Sequence, residues 1–468
     1  MPVPAVKDST LKLGRGVVRR LAAVVGYQPT LPYSQVIASY KGKKRARYER
    51  AFDSLKARGF VLLPDDWKLT MFVKQEGVRF THEKVEPDCR AIQFRSFEYT
   101  LYLAARIRRA EHALYEVEDF LGVGTGKIFA KNMNDVERGT TLRSKFDRLG
   151  SGCVALMLDV LRFDAHPRPA TLEMEHLFWN GCNPDPGLKH ALKQQLENEG
   201  SFSCMTDLGF LRQKYRVSGG RMSGDANTAG GNCVIVSAAL IAFCEKYLDE
   251  FDILCDGDDS VLMYVGSRPS DEVIFEFFRG FGLTIKIEGE TNVFSEIDFC
   301  QSRPCFINGE WTMVRNPEKV LTKLGMRAVD YGPSGNLNYI KTVALGELSR
   351  LRGVPILQTF LAEIVRQADS ALRRGGHKRR LILGALLKEW RFTNYLPGDW
   401  MDAKEVPITE EARQTFSQAW GISVSEQKRI ESELVKTALV STDTRTGRAI
   451  EGWAYDWDRC EIVHGVRL

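Results

Sequence analysis

The chain has 468 residues, 44% of them hydrophobic and 27% charged, with a net charge of only +5; that balance excludes a disordered or low-complexity protein and provides for a large core. Its ten cysteines show no CxxC spacing, which argues against structural zinc and points to reduced thiols in a cytosolic compartment. The longest apolar stretch, Cys233–Phe243, is far short of the ~20 residues that span a bilayer, and no apolar core follows Arg15, Arg19 and Arg20 to make a secretory signal.

In chain order, the first 50 residues carry 11 Lys/Arg against 2 Asp/Glu, so the basic excess is local and densest at Lys41–Arg47. Such a run can neutralise phosphates, face an anionic membrane or form a solvated surface tail. The spacing of Leu13, Val17, Leu21 and Val24 predicts a basic amphipathic helix over 11–26. Residues 57–98 read as irregular and strand-rich. Helical periodicity returns from Leu101 to Phe120, through Leu103, Ile107, Leu114 and Val117. Gly122–Lys127 looks like a phosphate loop, but Leu121 and Ile128 stand where Gly and Ser/Thr are required, so a plain loop is expected. His166 has no Ser or Cys elbow to complete a hydrolase triad.

Residues 153–159 form a short apolar run ending on an acid, as a buried strand would. Residues 251–264 read as apolar run, Asp-Gly-Asp-Asp, apolar run, which is a hairpin signal. Pro304 and Pro317 lead to a helix-rich tail, with a periodic stretch over Val354–Arg374. The length fits about three domains, or one body of three subdomains around a cleft.

Three pieces carry chemistry in a fixed order. Asp159 and Asp164 lie five apart, Ser218 and Asn227 nine apart in a Ser-Gly loop, and Asp258-Asp259 close a Gly-Asp-Asp turn. Alone, each has a bland reading: a strand end, a helix cap, a surface turn. An EF-hand is excluded, because Val261 and Ser267 occupy the places of its required Gly and Glu. Together they suit two-metal nucleotidyl transfer, in which a few carboxylates from separate elements hold two ions about 3.5–4 Å apart. Neighbouring strands ~4.8 Å apart would bring Asp159 and Asp258 together, with Gly257 supplying the positive φ of the turn.

With these motifs the sequence resembles the RNA-dependent RNA polymerases of positive-strand RNA viruses, most closely those of the Tombusviridae. The resemblance runs from about residue 35 to 430, through ASYKGKKRARYERA, FVKQE, CRAIQFRS, LRSKFD, LDVLRFDAH, SGGRMSGDANTAGGN, LCDGDDSV and FCQSRP. It implies an α+β right-hand fold, with an antiparallel palm sheet and flanking helices. Expected boundaries are a basic segment at 1–50, fingers at 51–152, palm at 153–320 with a finger insertion at about 167–216, and a helical thumb at 321–468.

The resemblance also assigns roles. Asp159, Asp258 and Asp259 hold two Mg²⁺ or Mn²⁺ ions. Asp164 and Asn227 read the ribose 2′-hydroxyl, and no bulky aromatic blocks it as in reverse transcriptases. Ser218 and Gly219 belong to a mobile loop on the template and nascent base pair. Lys84, Arg90 and Arg95 line the nucleotide channel, although the spacing at Lys84 is stretched; Lys74 is a further candidate phosphate contact. Lys286 is a candidate general acid for pyrophosphate, and an ordinary solvent-facing lysine is an equal reading. Cys300–Pro304 is similar to a primer-grip hairpin. Partners implied are template and product RNA, ribonucleoside triphosphates and an auxiliary viral replication protein, with host membranes reached through it in the cytoplasm, and no DNA. The rival readings are a reverse transcriptase and an RNA-binding assembly subunit without activity.

Overall fold

The computed structural model describes residues 3–74, 90–206, 209–324, 331–376, 400–437 and 440, together with two strands at 453–456 and 461–464. Two compact units emerge from the packing: among the described residues, 3–74, 90–131, 145–206 and 209–292 fall in the first, and 132–144 with those from 293 onward in the second. Helices and largely antiparallel sheets are mixed throughout, an α+β fold.

The first unit opens with helix α1 (Asp8–Val25), followed by α2 (Tyr33–Ala38) and α3 (Gly42–Ala57). α1 is where predicted, but it turns a different side inward. Leu11, Gly14, Val17, Val18, Leu21 and Ala22 are buried, while Leu13 and Val24 are exposed. The reason is close approach: a Cβ on Gly14 would lie 2.5 Å from the Phe281 ring and 2.6 Å from Met174 Sδ. Strands β1 (Leu69–Val73) and β2 (Ala91–Phe94) lead to α4 (Phe97–Tyr115), capped at its start by Ser96 Oγ, which accepts from Tyr99 N at 3.0 Å. α4 ends five residues before the predicted Phe120. A loop takes over, in which Gly122, Gly124 and Gly126 have positive φ and Gly124 N–H donates to Asp119 Oδ1 at 2.5 Å. That amide is thus already bonded within the loop.

Helix α5 (Asp135–Leu149) leads into β3 (Cys153–Val160), and α6 (Pro169–Cys182), α7 (Pro186–Lys193), β4 (Glu197–Thr206) and β5 (Gly209–Ser218) follow. One sheet has the order β2-β1-β4-β5, antiparallel except for the β1–β4 pair. Next come α8 (Thr228–Tyr247), β6 (Phe251–Asp256), β7 (Asp259–Val265), α9 (Asp271–Arg279) and β8 (Ile285–Thr291). The second sheet, β6-β7-β3-β8, is antiparallel throughout. α8 is the one helix among the described residues long and apolar enough to cross a membrane, and most of it is buried as the core helix of this unit.

The second unit holds the hairpin β9 (Ser302–Ile307) and β10 (Glu310–Arg315), then α10 (Pro317–Lys323), α11 (Pro333–Arg350) and α12 (Leu357–Arg374). Helices at Glu410–Trp420 and Val424–Lys436 and the hairpin β11 (Trp453–Asp456) and β12 (Glu461–His464) follow. The predicted helix at Val354–Arg374 is α12. Its core is separate from that of the first unit and gathers Leu337, Ile340, Phe360, Ile364, Phe416 and Ile430.

Candidate active site

β3 is the central strand of the antiparallel sheet, with β7 on one side and β8 on the other. Its alternation of Ala155, Leu156, Met157 and Leu158 buries both faces, as a strand between packed layers requires. β6 and β7 close at the pair Asp256–Asp259, leaving Gly257 and Asp258 as a two-residue loop. Gly257 has φ 76, the conformation that the first central residue of a type II′ hairpin needs. The β3–β7 register ends at Leu158–Ser260, so one further step sets Asp159 beside the Asp258-Asp259 turn.

Asp159 and Asp259 are half-buried. Burial, then the charges of Asp258 and Asp159, push Asp259 up to about 7. Burial and the charges of Asp258 and Glu288 raise Asp159 as well. On its other side Asp159 pairs in register with Lys286. The β3–β8 register slips between Met157 and Leu158, leaving Glu288 as the extra residue of a bulge. Lys286 is exposed and donates to Glu288 at 3.0 Å, which raises its pKa. The predicted carboxylates thus converge, with a lysine beside them.

Asp164 lies on the turn after β3. Its own backbone carbonyl accepts from Arg221 N at 2.7 Å, and Pro167 O accepts from Gly220 N at 2.7 Å. The Ser-Gly loop is therefore laced to the Asp164 turn. Ser218 Oγ donates to Glu197 at 2.6 Å, and Gly219 O accepts from Asn198 at 3.1 Å. Gly219 has φ 71, and a Cβ there would lie 2.5 Å from Pro167 O. Gly219→Ala is expected to cost about 2 kcal/mol of stability from strain, read as a lower denaturant midpoint with an unchanged slope.

Asn227, which precedes α8, is fully buried. Its Nδ2 donates to Glu175 at 2.8 Å and to Gln195 Oε1 at 3.1 Å, and its Oδ1 accepts from Gln195 Nε2 at 2.9 Å. Arg221 donates to Glu175 and to Asn232, at 2.9 Å in the second case. No hydrogen bond joins Asp164 to Asn227 among the described residues; Arg221 connects them, acting electrostatically on Asp164. Next to Glu175, burial holds the His176 ring neutral, with its pKa lowered to about 4. The unfolded chain takes up that proton near 6.5, so this group withdraws stability as pH falls from 6.5 towards 4. The thermal midpoint is expected to drop across that window, and to drop less in His176→Gln.

The channel cations part company. Arg90 is exposed, and its charge acts on Asp164. Arg95 is a correction: it is 2% exposed, and its guanidinium holds Asp225 at 2.9 Å, Asn198 at 2.5 Å and Trp67 O at 2.6 Å. A buried carboxylate 130 residues away claims it, so it braces the site from within and lines no channel. Lys84 lies outside the described residues; Lys74 accepts its structural place by donating its backbone N to Arg90 O at 2.8 Å.

The sequence reading missed the support behind the turn. Ala130 N donates to Cys255 O at 2.8 Å, and Cys255 N to Ile128 O at 2.9 Å. Lys131 is ion-paired with Asp256, immediately before the turn. Lys145 and Asp252 form a wholly buried pair at 2.7 Å further along β6. The Lys-Phe-Asp stretch that contains Lys145 was legible only as a motif, since its acid partner is 107 residues away.

The donors gathered at the turn are all carboxylate oxygens, the hard ligands that Mg²⁺ or Mn²⁺ takes, and their mutual repulsion is what a cation would relieve. Among the described residues no group of three or more acids, histidines or cysteines is gathered tightly enough to hold an ion as it stands; what Asp159, Asp258 and Asp259 share with a divalent-ion site is the donor type, hard carboxylate oxygen.

The viral RNA dependent RNA polymerase family profile matches residues 2–442. The chain is 30% identical over 428 residues to the RNA-directed RNA polymerase of melon necrotic spot virus, covering 89% of this chain and 51% of that protein. It is 36% identical over 317 residues to that of Pothos latent virus, covering 67% and 41%, and 29% identical over 424 residues to that of tomato bushy stunt virus, covering 88% and 48%. The chain spans about half the length of the curated relatives it matches. These relatives belong to the Tombusviridae, as the motifs anticipated.

Proposed function

The chain belongs to the viral RNA dependent RNA polymerase family, and from that membership we propose that it copies an RNA template into RNA from ribonucleoside triphosphates, replicating a positive-strand viral genome. The observation that carries the proposal is the convergence of Asp159 with the Asp258-Asp259 turn at the end of one antiparallel sheet. The right-hand division into fingers, palm and thumb goes with the same reading, as do an auxiliary replication protein and membranes reached through it.

Asp159, Asp258 and Asp259 would hold Mg²⁺ or Mn²⁺, the remaining ligands coming from triphosphate oxygens and water. Held there, two such ions would supply activation of the attacking 3′-oxygen and neutralisation of charge on the pyrophosphate. Arg90 offers a planar donor fork to the triphosphate. Lys286, kept protonated by Glu288, stands beside Asp159 as the proton source for pyrophosphate. Asp164 accepts from the ribose 2′-hydroxyl. Asn227 reaches that hydroxyl by exchanging one of its bonds to Gln195 or Glu175, and a deoxynucleotide cannot offset the bond given up. Ser218 and Gly219 orient the template against this pair.

The test is direct. Purified protein is incubated with an RNA template, labelled nucleotides and Mg²⁺, with ribo- and deoxynucleotides in parallel. Template-length product from ribonucleotides alone is the expected result. DNA product would make the chain a reverse transcriptase, and RNA binding without product would leave it an assembly subunit.

A further inference from the structure

The basic excess of the first 50 residues is not a tail. It sits largely on folded helices, and five of the eleven cations lie on α3, which buries Tyr48, Ala51 and Leu55. On one flank of that helix Lys43, Arg47 and Arg50 follow at i, i+4 and i+7, so they form one continuous stripe, and all three are exposed. The Arg47 guanidinium is braced 5.6 Å from the Phe97 ring centroid. Beside the stripe, Arg45 is tied to Glu49 at 2.9 Å.

The neighbouring aromatics are already in use. Tyr40 stacks on Tyr48 with centroids 4.4 Å apart, and Lys44 Nζ and the Arg108 guanidinium stand 4.5 and 5.1 Å from its ring. Among the described residues the rings packed beside this stripe are therefore engaged within the fold. A helix that docks on a bilayer needs large apolar side chains exposed beside its cations. On α3 itself none of the described residues is an exposed large hydrophobic; those that flank it in the chain, Tyr27, Val61 and Leu63, lie outside the helix. Charge without an apolar anchor fits a polyanion in water.

We infer that this exposed flank of α3 binds RNA through its backbone phosphates, with Lys43, Arg47 and Arg50 as the sequence-independent contacts. The inference deepens the polymerase reading, since it gives the RNA a hold on a helix that contributes nothing to the carboxylate site.

The test measures binding of a labelled mixed-sequence single-stranded RNA to the full chain by anisotropy over a range of KCl concentrations. In Lys43→Gln/Arg47→Gln/Arg50→Gln, the slope of log affinity against log salt should become shallower by ~2, at about 0.7 per lost phosphate contact. Lys43→Arg/Arg47→Lys/Arg50→Lys should restore it, and turnover at saturating RNA should stay at the wild-type value while KM for RNA rises. An unchanged slope in a variant that melts like the wild type overturns the inference. So does loss of phosphatidylserine-vesicle binding with RNA affinity intact, which would make the face a membrane contact. A chain that shows the slope change but makes no RNA keeps this surface and loses the polymerase reading.

Discussion

Asp258→Asn is expected to reduce template-directed RNA synthesis by about three orders of magnitude or more, on the scale of tenfold per 1.36 kcal/mol, while leaving fold and RNA binding intact. Asp258 is the second residue of a two-residue loop whose shape is set by Gly257 at φ 76 and by the Asp256–Asp259 closing pair. An isosteric amide leaves that turn undisturbed. What it removes is one negative charge among carboxylates close enough to push one another upward, and hard cations bind through such charge. The same loss should lower Asp159 and Asp259 towards ordinary carboxylate values, since each is raised in part by Asp258. Metal-dependent quenching or calorimetry should therefore show weakened Mg²⁺ binding in a protein that melts no lower than the wild type. Full activity in the variant would move the metal site elsewhere; equal product from both preparations would mean a contaminating polymerase.

The parts of this site that the sequence exposed are the parts whose causes are local. The β6–β7 hairpin was legible because an apolar run, a glycine able to adopt positive φ and a second apolar run are neighbours in the chain. β3 was legible for the same reason, as a short apolar run ending on Asp159. The face of α1 was misjudged because that helix packs against both α6 and α8, so its buried stripe is broader than a single line of leucines and valines and turns on Gly14. Arg95 was misread because its burial depends on Asp225 and Asn198, far along the chain. A guanidinium in a basic strand looks the same in a sequence whether it faces phosphate or carboxylate. Lys131 and Lys145 escaped notice because each is defined by a strand partner, Asp256 and Asp252, that only the fold brings near. One signal was available: Glu175 and His176 interrupt a helix that is otherwise apolar on most sides. A charge there must find a buried partner.

That partner makes Glu175→Ala the largest expected loss of stability, about 3–5 kcal/mol, the usual cost of stranding one member of a buried ion pair. Glu175 is fully buried; it receives Arg221, Trp179 Nε1 at 2.6 Å and Asn227 Nδ2 at 2.8 Å. Burial alone would push its carboxyl up, but the Arg221 guanidinium and the hydrogen bonds from Arg221 and Trp179 outweigh that and hold it below the usual glutamate value. Truncation leaves Arg221, only 3% exposed, without its hydrogen-bonded carboxylate. Through Arg221 the strain reaches the Asp164 turn, and through Asn227 it reaches the start of α8. Glu175→Gln separates the two consequences. It retains an oxygen for Trp179 or Asn227 but not the charge for Arg221, so it should recover part of the stability. Both variants should discriminate less between ribo- and deoxynucleotides, because Asn227 is then held by Gln195 with less help. Denaturant midpoints and the ratio of kcat/KM for the two nucleotides measure these effects separately. A Glu175→Ala protein that unfolds like the wild type would mean that Arg221 finds water or another acid in place of Glu175, and the network would then have no part in placing Asn227.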